Sequence, residues 1–430
     1  MEYFVVKGGN ELSGDIEVSG MKNAAVGVIF ACLLIDDKIT LENIPDISDV
    51  RTSFAILKAM GAKVRYLTKT TVEIDCTNAE GGRAPFEMVR NMRASYYLAG
   101  AELGRFGRTR VGCPGGCDFG IRPIDQHIKG FEALGAEVAV EGGYIEGKAQ
   151  DGRLRGANIY FDRVSVGATM NVLIAATMAE GNTVIENAAR EPHVVDLANF
   201  LNSCGAKITG AGTDVIKVKG VSSLSGCTYA IIPDMIEAGT YMIAAAATGS
   251  RLKITNVIPK HLESISAKLE EMGVEVEEHD DFVVVTAAKK LTKTNIRTLP
   301  YPGFPTDMNP QMCTLLCLAE GVSYLTESVW DNRFRYIEEL RKMGAEIKVD
   351  GKTAVVEGNT RFTAAPVRAV DLRAGAAMII AGLCANGKTT IEDIHHIKRG
   401  YDDIAGKLRS VGADIREINV PESVNYPKVN

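Results

Sequence analysis

No stretch of this chain is apolar for long enough to cross a bilayer. The longest such run, Ala24 to Leu34, falls well short of the roughly 20 residues a spanning helix needs. Met1 to Gly14 has no basic segment followed by an apolar one, so no secretory leader is expected. Basic residues are not in excess: 48 Lys and Arg stand against 54 Asp and Glu, a formal net charge of −6. That balance argues against nucleic acid as the main partner, though it leaves room for a local basic pocket. Metal ligands are not grouped. Cys113-x3-Cys117 and Cys313-x3-Cys317 come nearest to half-sites, and neither has a His or further Cys at a companion spacing. Nine cysteines, an odd number scattered along the chain, point to free thiols in a reducing cytoplasm. His127, His193, His395 and His396 are tempting bases, but none has a nucleophile at a local motif spacing. They read as packing or supporting groups.

What is present is a globular chain of 430 residues, long enough for two to three domains with real cores. Its organising feature is a repeat. The phrase "apolar residue, Gly, Ala or Val, then a strand" occurs at Gly61, Gly135, Gly205, Gly273, Gly344 and Gly412, with spacings of 74, 70, 68, 71 and 68 residues. One glycine closing an amphipathic helix before a strand is a common cap and means little. Six at a near-constant period mean an architecture. Each copy has an apolar helix rich in small residues: Lys22 to Leu34, Met92 to Leu103, Val166 to Ala179, Ile236 to Ala247, Met308 to Ala319 and Arg373 to Ala385. Being apolar nearly all round, these helices should be buried. A short strand follows, then a polar loop, a second amphipathic helix expected to cover the outside, the glycine turn and a hairpin. Each unit reads βαβαββ, and six of them fill the chain.

The stretch Gly112-Cys113-Pro114-Gly115-Gly116-Cys117-Asp118-Phe119-Gly120-Ile121-Arg122-Pro123 stands outside that regularity. Four glycines and two prolines in twelve residues build neither helix nor strand, so a long shaped loop is expected. The bland reading is a surface loop with an incidental cysteine. The other is a thiol unshielded by its glycines, in a loop that ends on a guanidinium. The repeat supports the second, because the functional candidates fall at two equivalent places in the units. One is the start of the buried helix: Lys22 with Asn23, Arg93, Ser165, Asp234, Asp307 and Arg373. The other is the loop after the short strand: Cys117 with Arg122, Arg190 with Glu191, Arg333, and Arg399. Helix N-termini present free N–H groups and partial positive charge, and arginine adds bidentate geometry, so both places suit phosphates and carboxylates.

The motifs Met21-Lys22-Asn23-Ala24-Ala25, Met92-Arg93-Ala94-Ser95, Pro114-Gly115-Gly116-Cys117, Ser165-Val166-Gly167-Ala168-Thr169, Phe304-Pro305-Thr306-Asp307-Met308, Asn332-Arg333-Phe334, Asp371-Leu372-Arg373-Ala374 and Ile397-Lys398-Arg399-Gly400-Tyr401 resemble those of the enolpyruvyl transferases. Within that family they look like the branch acting on UDP-N-acetylglucosamine, and the resemblance runs from Val6 to about Ile418. It implies an α/β fold, an inside-out α/β barrel of two pseudo-three-fold domains built from six βαβαββ units. It places a first domain at 21–230, a second at 1–20 plus 231–430, and the active site in the cleft between them. The implied reaction moves the enolpyruvyl group of phosphoenolpyruvate to the 3-hydroxyl of UDP-N-acetylglucosamine, releasing phosphate, as the first committed step toward peptidoglycan. No metal and no organic cofactor is implied. The partners are the two small-molecule substrates, with no nucleic acid and no membrane insertion, and the location is cytoplasmic.

Carried over residue by residue, Lys22, Asn23, Arg122, Arg333, Arg373 and Arg399 would serve phosphoenolpyruvate. Asn23, Arg93, the run Arg122, Pro123, Ile124, Asp125 and Gln126, the run Arg163, Val164, Ser165 and Val166, and Asp307 with Val329 would serve the nucleotide sugar. The chain departs from the family's common residues at Asp118, Arg163 and Lys398. The addition needs a proton at C3 of phosphoenolpyruvate and an acceptor for the hydroxyl proton. Cys117 is the candidate acid, since a thiol near its reference pKa is mostly protonated at neutral pH. Asp307 is the candidate acceptor; it also sits where a helix cap would, and the two roles are compatible. Glu191 and Asp234 are read as support for domain closure or proton movement. The rivals are transfer to shikimate 3-phosphate on the same fold, a catalytically silent paralogue, and Cys113 with Cys117 as a redox switch.

Overall fold

The computed structural model describes residues 2–113, 115 and 124–419. The chain divides into two compact units. A middle unit holds Ser19–Asp234 with the short segment Pro300–Pro302; an end unit holds Met1–Val18, Met235–Leu299 and Gly303–Asn430. In chain order the middle unit carries α1 (Lys22–Ala31), α2 (Ser48–Ala59), α3 (Phe86–Arg90), α4 (Tyr97–Phe106), α5 (Asp125–Ala133), α6 (Val166–Thr177) and α7 (Pro192–Ser203). The end unit carries α8 (Met235–Ala247), α9 (Glu263–Glu271), α10 (Asn309–Leu318), α11 (Ile337–Lys342), α12 (Leu372–Cys384) and α13 (Ile404–Ser410).

The helices that are apolar all round are the buried ones. Every residue of α1 from Ala24 to Ala31 is buried, as is every residue of α12 from Leu372 to Leu383. Each buried Ile, Leu or Phe there contributes about 1.5–3 kcal/mol, and small residues let the helices approach. At Gly100 of α4 an added Cβ would lie 2.3 Å from the Asn171 carbonyl oxygen of α6. The Asn171 side chain uses that closeness. Its oxygen accepts from Gly100 N at 2.9 Å, and its amide donates to the Tyr96 carbonyl at 2.8 Å. Most second helices expose a polar face, as expected. α7 departs from this: of its twelve residues only Asn199 and Ser203 are exposed, because Phe200 and Leu201 on one side and His193 and Asp196 on the other are all covered.

In a typical repeat the central strand Asn182–Glu186 pairs antiparallel with Val215–Lys219 and parallel with Asn158–Tyr160, and Lys207–Thr209 completes the hairpin. Among the described residues five sheets of this kind have four strands. The sixth, built from Arg108–Gly112, Ala136–Glu141 and Tyr144–Ala149, has three. The βαβαββ reading therefore needs correcting in that repeat. Gly81, Gly82 and Pro85 interrupt the stretch where the first strand was expected, and α3 and a 3-10 turn, Arg93–Tyr96, take its place before α4.

All six period-setting glycines have φ between 87° and 106°. An L side chain rarely adopts that conformation, and it lets the chain leave each helix straight into a strand. Asparagine punctuates the next junction. Asn43, Asn187 and Asn256 follow their central strands at φ of 55° to 57°, and each amide donates to a carbonyl at the end of the parallel neighbour strand: Ile231, Phe161 and Val18. Two of those neighbours are exchanged along the chain. Ser13–Glu17, ahead of α1, pairs with Arg251–Thr255, whereas Thr228–Ala230, ahead of α8, pairs with Lys38–Glu42. The strand Glu2–Lys7 closes the last repeat, between Lys388–Glu392 and Asp414–Asn419.

Candidate functional site

In the middle unit, Lys22 is the first residue of α1, and its side chain is 13% exposed. A cation there opposes the helix dipole. It is held by Asp49 in the first turn of α2, with Nζ 2.9 Å from the Asp49 carboxylate. Its backbone N–H donates to Asp234 at 3.3 Å, while Asp234 N donates to the Ser19 carbonyl at 2.9 Å. Asp234 is 2% exposed and so seats the start of α1. Asn23 follows, half-buried. Arg93 opens the 3-10 turn that leads into α4, its guanidinium 5.8 Å from the centre of the Tyr96 ring.

The Ile124 to Val166 candidates form a second group in the same unit. Asp125 opens α5, and Arg163 Nη2 lies 2.5 Å from its carboxylate, both side chains being about half exposed. Burial pushes the Asp125 carboxyl up, but the Gln126 amide and the Arg163 charge outweigh it and leave the group below its ordinary range. Gln126 is buried and bound to the next loop, accepting from Asp162 N at 2.9 Å and donating to the Asp162 carboxylate at 3.2 Å. It positions the Arg163 segment. Val164 is exposed, and Ser165 caps α6 by accepting from Ala168 N at 3.3 Å. Arg190 is exposed and pairs with Asp214 at 3.4 Å on the far side of the hairpin, which is the ordinary role of a surface arginine. Burial raises the Glu191 carboxyl, which accepts from Tyr301 N at 3.3 Å. Cys117, Arg122 and Pro123, with Asp118, lie outside the described residues. Cys113 beside them is half-buried, and burial pushes its thiol up.

In the end unit, Arg373 lies in the first turn of α12 and is 3% exposed. Asp371 caps that helix, its oxygen accepting from Arg373 N at 2.7 Å and Ala374 N at 2.9 Å. The guanidinium reaches Asp307, with Nη2 at 3.1 Å and Nε at 3.3 Å from one carboxylate oxygen, and it also lies 5.3 Å from the centre of the Tyr401 ring. Asp307 sits in the 3-10 turn Thr306–Met308 ahead of α10, its side chain 33% exposed. The structure thus joins two residues, a candidate base and a candidate substrate cation, that sequence reasoning kept apart. Arg333 is 2% exposed and precedes the turn Phe334–Tyr336; Arg399 ends the turn Ile397–Arg399 and is half-buried. Lys398 is occupied elsewhere, 2.8 Å from Glu2 and 2.6 Å from Glu417.

Sequence reasoning missed two carboxylates. Asp49 is one; a lysine opening a buried helix calls for an acid nearby, but its identity needs the packing of α2 on α1. The other is Glu327, which is 1% exposed. It accepts from Thr298 Oγ1 at 2.7 Å, Thr306 Oγ1 at 2.9 Å, Asn309 Nδ2 at 2.9 Å, Val329 N at 2.8 Å and Trp330 N at 3.1 Å. It thereby fixes the residue before Asp307 and the loop that carries Val329. Its signal was its place: it follows its central strand where Asn43, Asn187 and Asn256 follow theirs. Among the described residues no group of three or more His, Cys, Asp or Glu side chains could hold a metal ion, and no helix is long and apolar enough to cross a membrane.

What the arrangement offers is two cations at the positive ends of buried helices, Lys22 braced by Asp49 and Arg373 by Asp307. The comparisons with known proteins agree with an anion-handling enzyme. The family model described as EPSP synthase (3-phosphoshikimate 1-carboxyvinyltransferase) matches residues 6–408. UDP-N-acetylglucosamine 1-carboxyvinyltransferase 3 of Caldanaerobacter subterraneus subsp. tengcongensis is 56% identical over 418 residues, 97% of this chain and 100% of that protein. UDP-N-acetylglucosamine 1-carboxyvinyltransferase of Clostridium botulinum is 56% identical over 416 residues, 96% of this chain and 99% of its own. In structure, the enolpyruvyl transferase NikO from Streptomyces tendae superposes with a TM-score of 0.88 at 28% identity, covering 98% of this chain and 99% of that one. With its repeats, its helix-start cations and these matches taken together, the chain belongs to the EPSP synthase family of enolpyruvyl transferases.

Proposed function

We infer that this protein transfers the enolpyruvyl group of phosphoenolpyruvate to the 3-hydroxyl of UDP-N-acetylglucosamine in the cytoplasm, releasing phosphate and committing the sugar to peptidoglycan. The observation that carries the anion-binding part is the placement of Lys22 and Arg373. A cation in the first turn of a helix costs stability rather than adding it, so a role with anions accounts for both. The choice of acceptor rests on the relatives named for UDP-N-acetylglucosamine at 56% identity and on the Cys117 loop.

In this reading Lys22, Arg122, Arg333, Arg373 and Arg399 hold the phosphate and carboxylate of phosphoenolpyruvate. Arg93, the 122–126 run and the 163–166 run hold the nucleotide, and Asn23, Asp307 and Val329 face the amino sugar. Asp307 accepts the proton of the 3-hydroxyl as its oxygen adds to C2, and Cys117 gives a proton to C3. A proton then leaves C3 as the C2–O bond to phosphate breaks, regenerating the double bond. Arg373, bonded to Asp307, keeps that carboxylate oriented and stabilises its charge.

The test is phosphate release from phosphoenolpyruvate with each acceptor supplied alone. Release with UDP-N-acetylglucosamine and none with shikimate 3-phosphate supports the reading. The reverse result assigns the shikimate reaction, and no release with either points to a silent paralogue.

A further inference from the structure

The cysteines that the proposed reaction leaves unused are not evenly spread. Cys204 Sγ and Cys227 Sγ lie 3.2 Å apart, within hydrogen-bonding distance for sulfur. Cys204 ends α7 and is buried; Cys227 precedes the strand Thr228–Ala230 and is half-buried. Their backbones are pinned from both sides. The Cys204 carbonyl accepts from Ser225 N at 2.9 Å, and the Cys227 carbonyl accepts from Thr40 N at 2.9 Å. Two further contacts fix the same junction: Tyr229 donates to the Asp196 carboxylate at 2.6 Å, and the Phe200 and Tyr229 rings meet edge to face at 5.5 Å. The sulfurs are therefore held near one another by a rigid frame. Closing from the 3.2 Å separation to a disulfide bond of about 2.05 Å brings the sulfurs only about 1 Å nearer.

We propose that Cys204 and Cys227 form a dithiol modification site that low-molecular-weight disulfides oxidise to an intramolecular disulfide. Cys227, the more exposed of the two, attacks the reagent RSSR as thiolate; a protein–SR mixed disulfide forms and one RS⁻ leaves. Cys204 then attacks the Cys227 sulfur, the protein disulfide forms, and the second RS⁻ leaves. The protein loses two electrons and two protons, and the reagent becomes two RSH. Other pairs are less well placed. Cys313 and Cys317 on α10 are both fully buried, away from a reagent in solvent, and so are Cys32 and Cys76. The bond would join the end of α7 to the strand running on to Ile231, Ile232 and Asp234, which receives the Asn43 amide, the Met21 N–H and the Lys22 N–H. It would stiffen the support beneath Lys22.

The full chain is treated with excess oxidised glutathione, alkylated and digested without reduction. The expected product is a peptide pair joined through Cys204 and Cys227, reversed by dithiothreitol. Closing that loop should raise the melting temperature by about 5 °C or more. Cys204→Ser should stall with glutathione on Cys227, and Cys227→Ser should show neither adduct nor link. Half-buried Cys113 reports that the reagent was active. The proposal is overturned if both thiols stay free while Cys113 reacts, if Cys227 joins Cys32 instead, or if wild-type Cys227 keeps a lasting glutathione adduct.

Discussion

Lys22 and Arg373 occupy equivalent places in two different units, the first turn of a buried helix, yet the acids that hold them differ. Asp49 stands on an outer helix with its side chain 8% exposed. Asp307 stands at the start of another buried helix with its side chain 33% exposed. An enclosed carboxylate is suited to orienting its lysine and little else. A carboxylate that keeps a third of its surface is suited to a second partner as well, which is what a proton acceptor needs. The polar hubs of the units differ too. In the middle unit Asn171 meets His127 Nδ1 at 3.0 Å, a titratable centre. In the end unit Gln311 donates to Thr240 at 3.1 Å and to Tyr401 at 3.2 Å, with no histidine in the group.

The sharpest way to break the first contrast is to neutralise both acids. Asp307→Asn should lower kcat by about 10²–10⁴-fold, the range of general acid–base catalysis. Asp49→Asn should leave kcat within a few-fold and raise KM for phosphoenolpyruvate by roughly tenfold, one lost charge-assisted contact to Lys22. Steady-state kinetics on the two variants decide it, and equal kcat losses would remove the distinction between holder and acceptor.

Glu327→Gln comes next in size. The substitution turns an acceptor of five hydrogen bonds into a group that must also donate, inside a closed site. It should cost about 3 kcal/mol or more of stability, read as a fall in denaturation midpoint. Asp307→Asn, at a partly open position, should cost less; a larger loss there would make Asp307 the structural residue of the two.

The smallest effect separates the hubs. Burial, with the Arg93 charge adding to it, pushes His127 down to about 3. Well above pH 6.5 the group is neutral in both folded and unfolded chains and contributes nothing to pH dependence. Below that, the unfolded chain takes up a proton that the folded one refuses, so stability is lost at about 1.4 kcal/mol per pH unit toward pH 3. Unfolding of wild type against His127→Gln at pH 8 and pH 5 should show the gap change by about 2 kcal/mol in the variant's favour. A constant gap would mean that the folded chain takes up the proton as readily as the unfolded one, so that burial does not hold His127 down.

These contrasts also mark where the sequence stops being legible. The six glycines announced the repeat because each needs a φ that other residues avoid, and a local requirement is visible locally. Buried helices were legible from their unbroken apolar character. The missing strand before α4 was not, since a βαβαββ pattern read from five good copies carries the sixth with it. The exchange of Ser13–Glu17 and Thr228–Ala230 was not, because strand pairing across 188 and 238 residues leaves no trace in either segment alone. In the site, Lys22, Asp307 and Arg373 stood out by their place in the repeat. The acid that holds Lys22 did not: Asp49 is one of 54 Asp and Glu, and only packing distinguishes it.

The central claim is that cations at the starts of buried helices serve the anionic substrate rather than the fold. The direct test is kcat/KM for phosphoenolpyruvate in Lys22→Ala and Arg373→Lys, with melting temperature measured on the same preparations and exposed Lys207→Ala as control. A lost charged contact to a bound anion is worth about 2–5 kcal/mol, so kcat/KM should fall roughly 30-fold or more in Lys22→Ala; Arg373→Lys keeps the charge but loses the bidentate fork, so it should fall less, roughly tenfold. Their melting temperatures should shift by no more than a few degrees, and the control should behave as wild type. Wild-type kcat/KM in either variant, or a loss of stability large enough to account for the lost activity, would contradict the account.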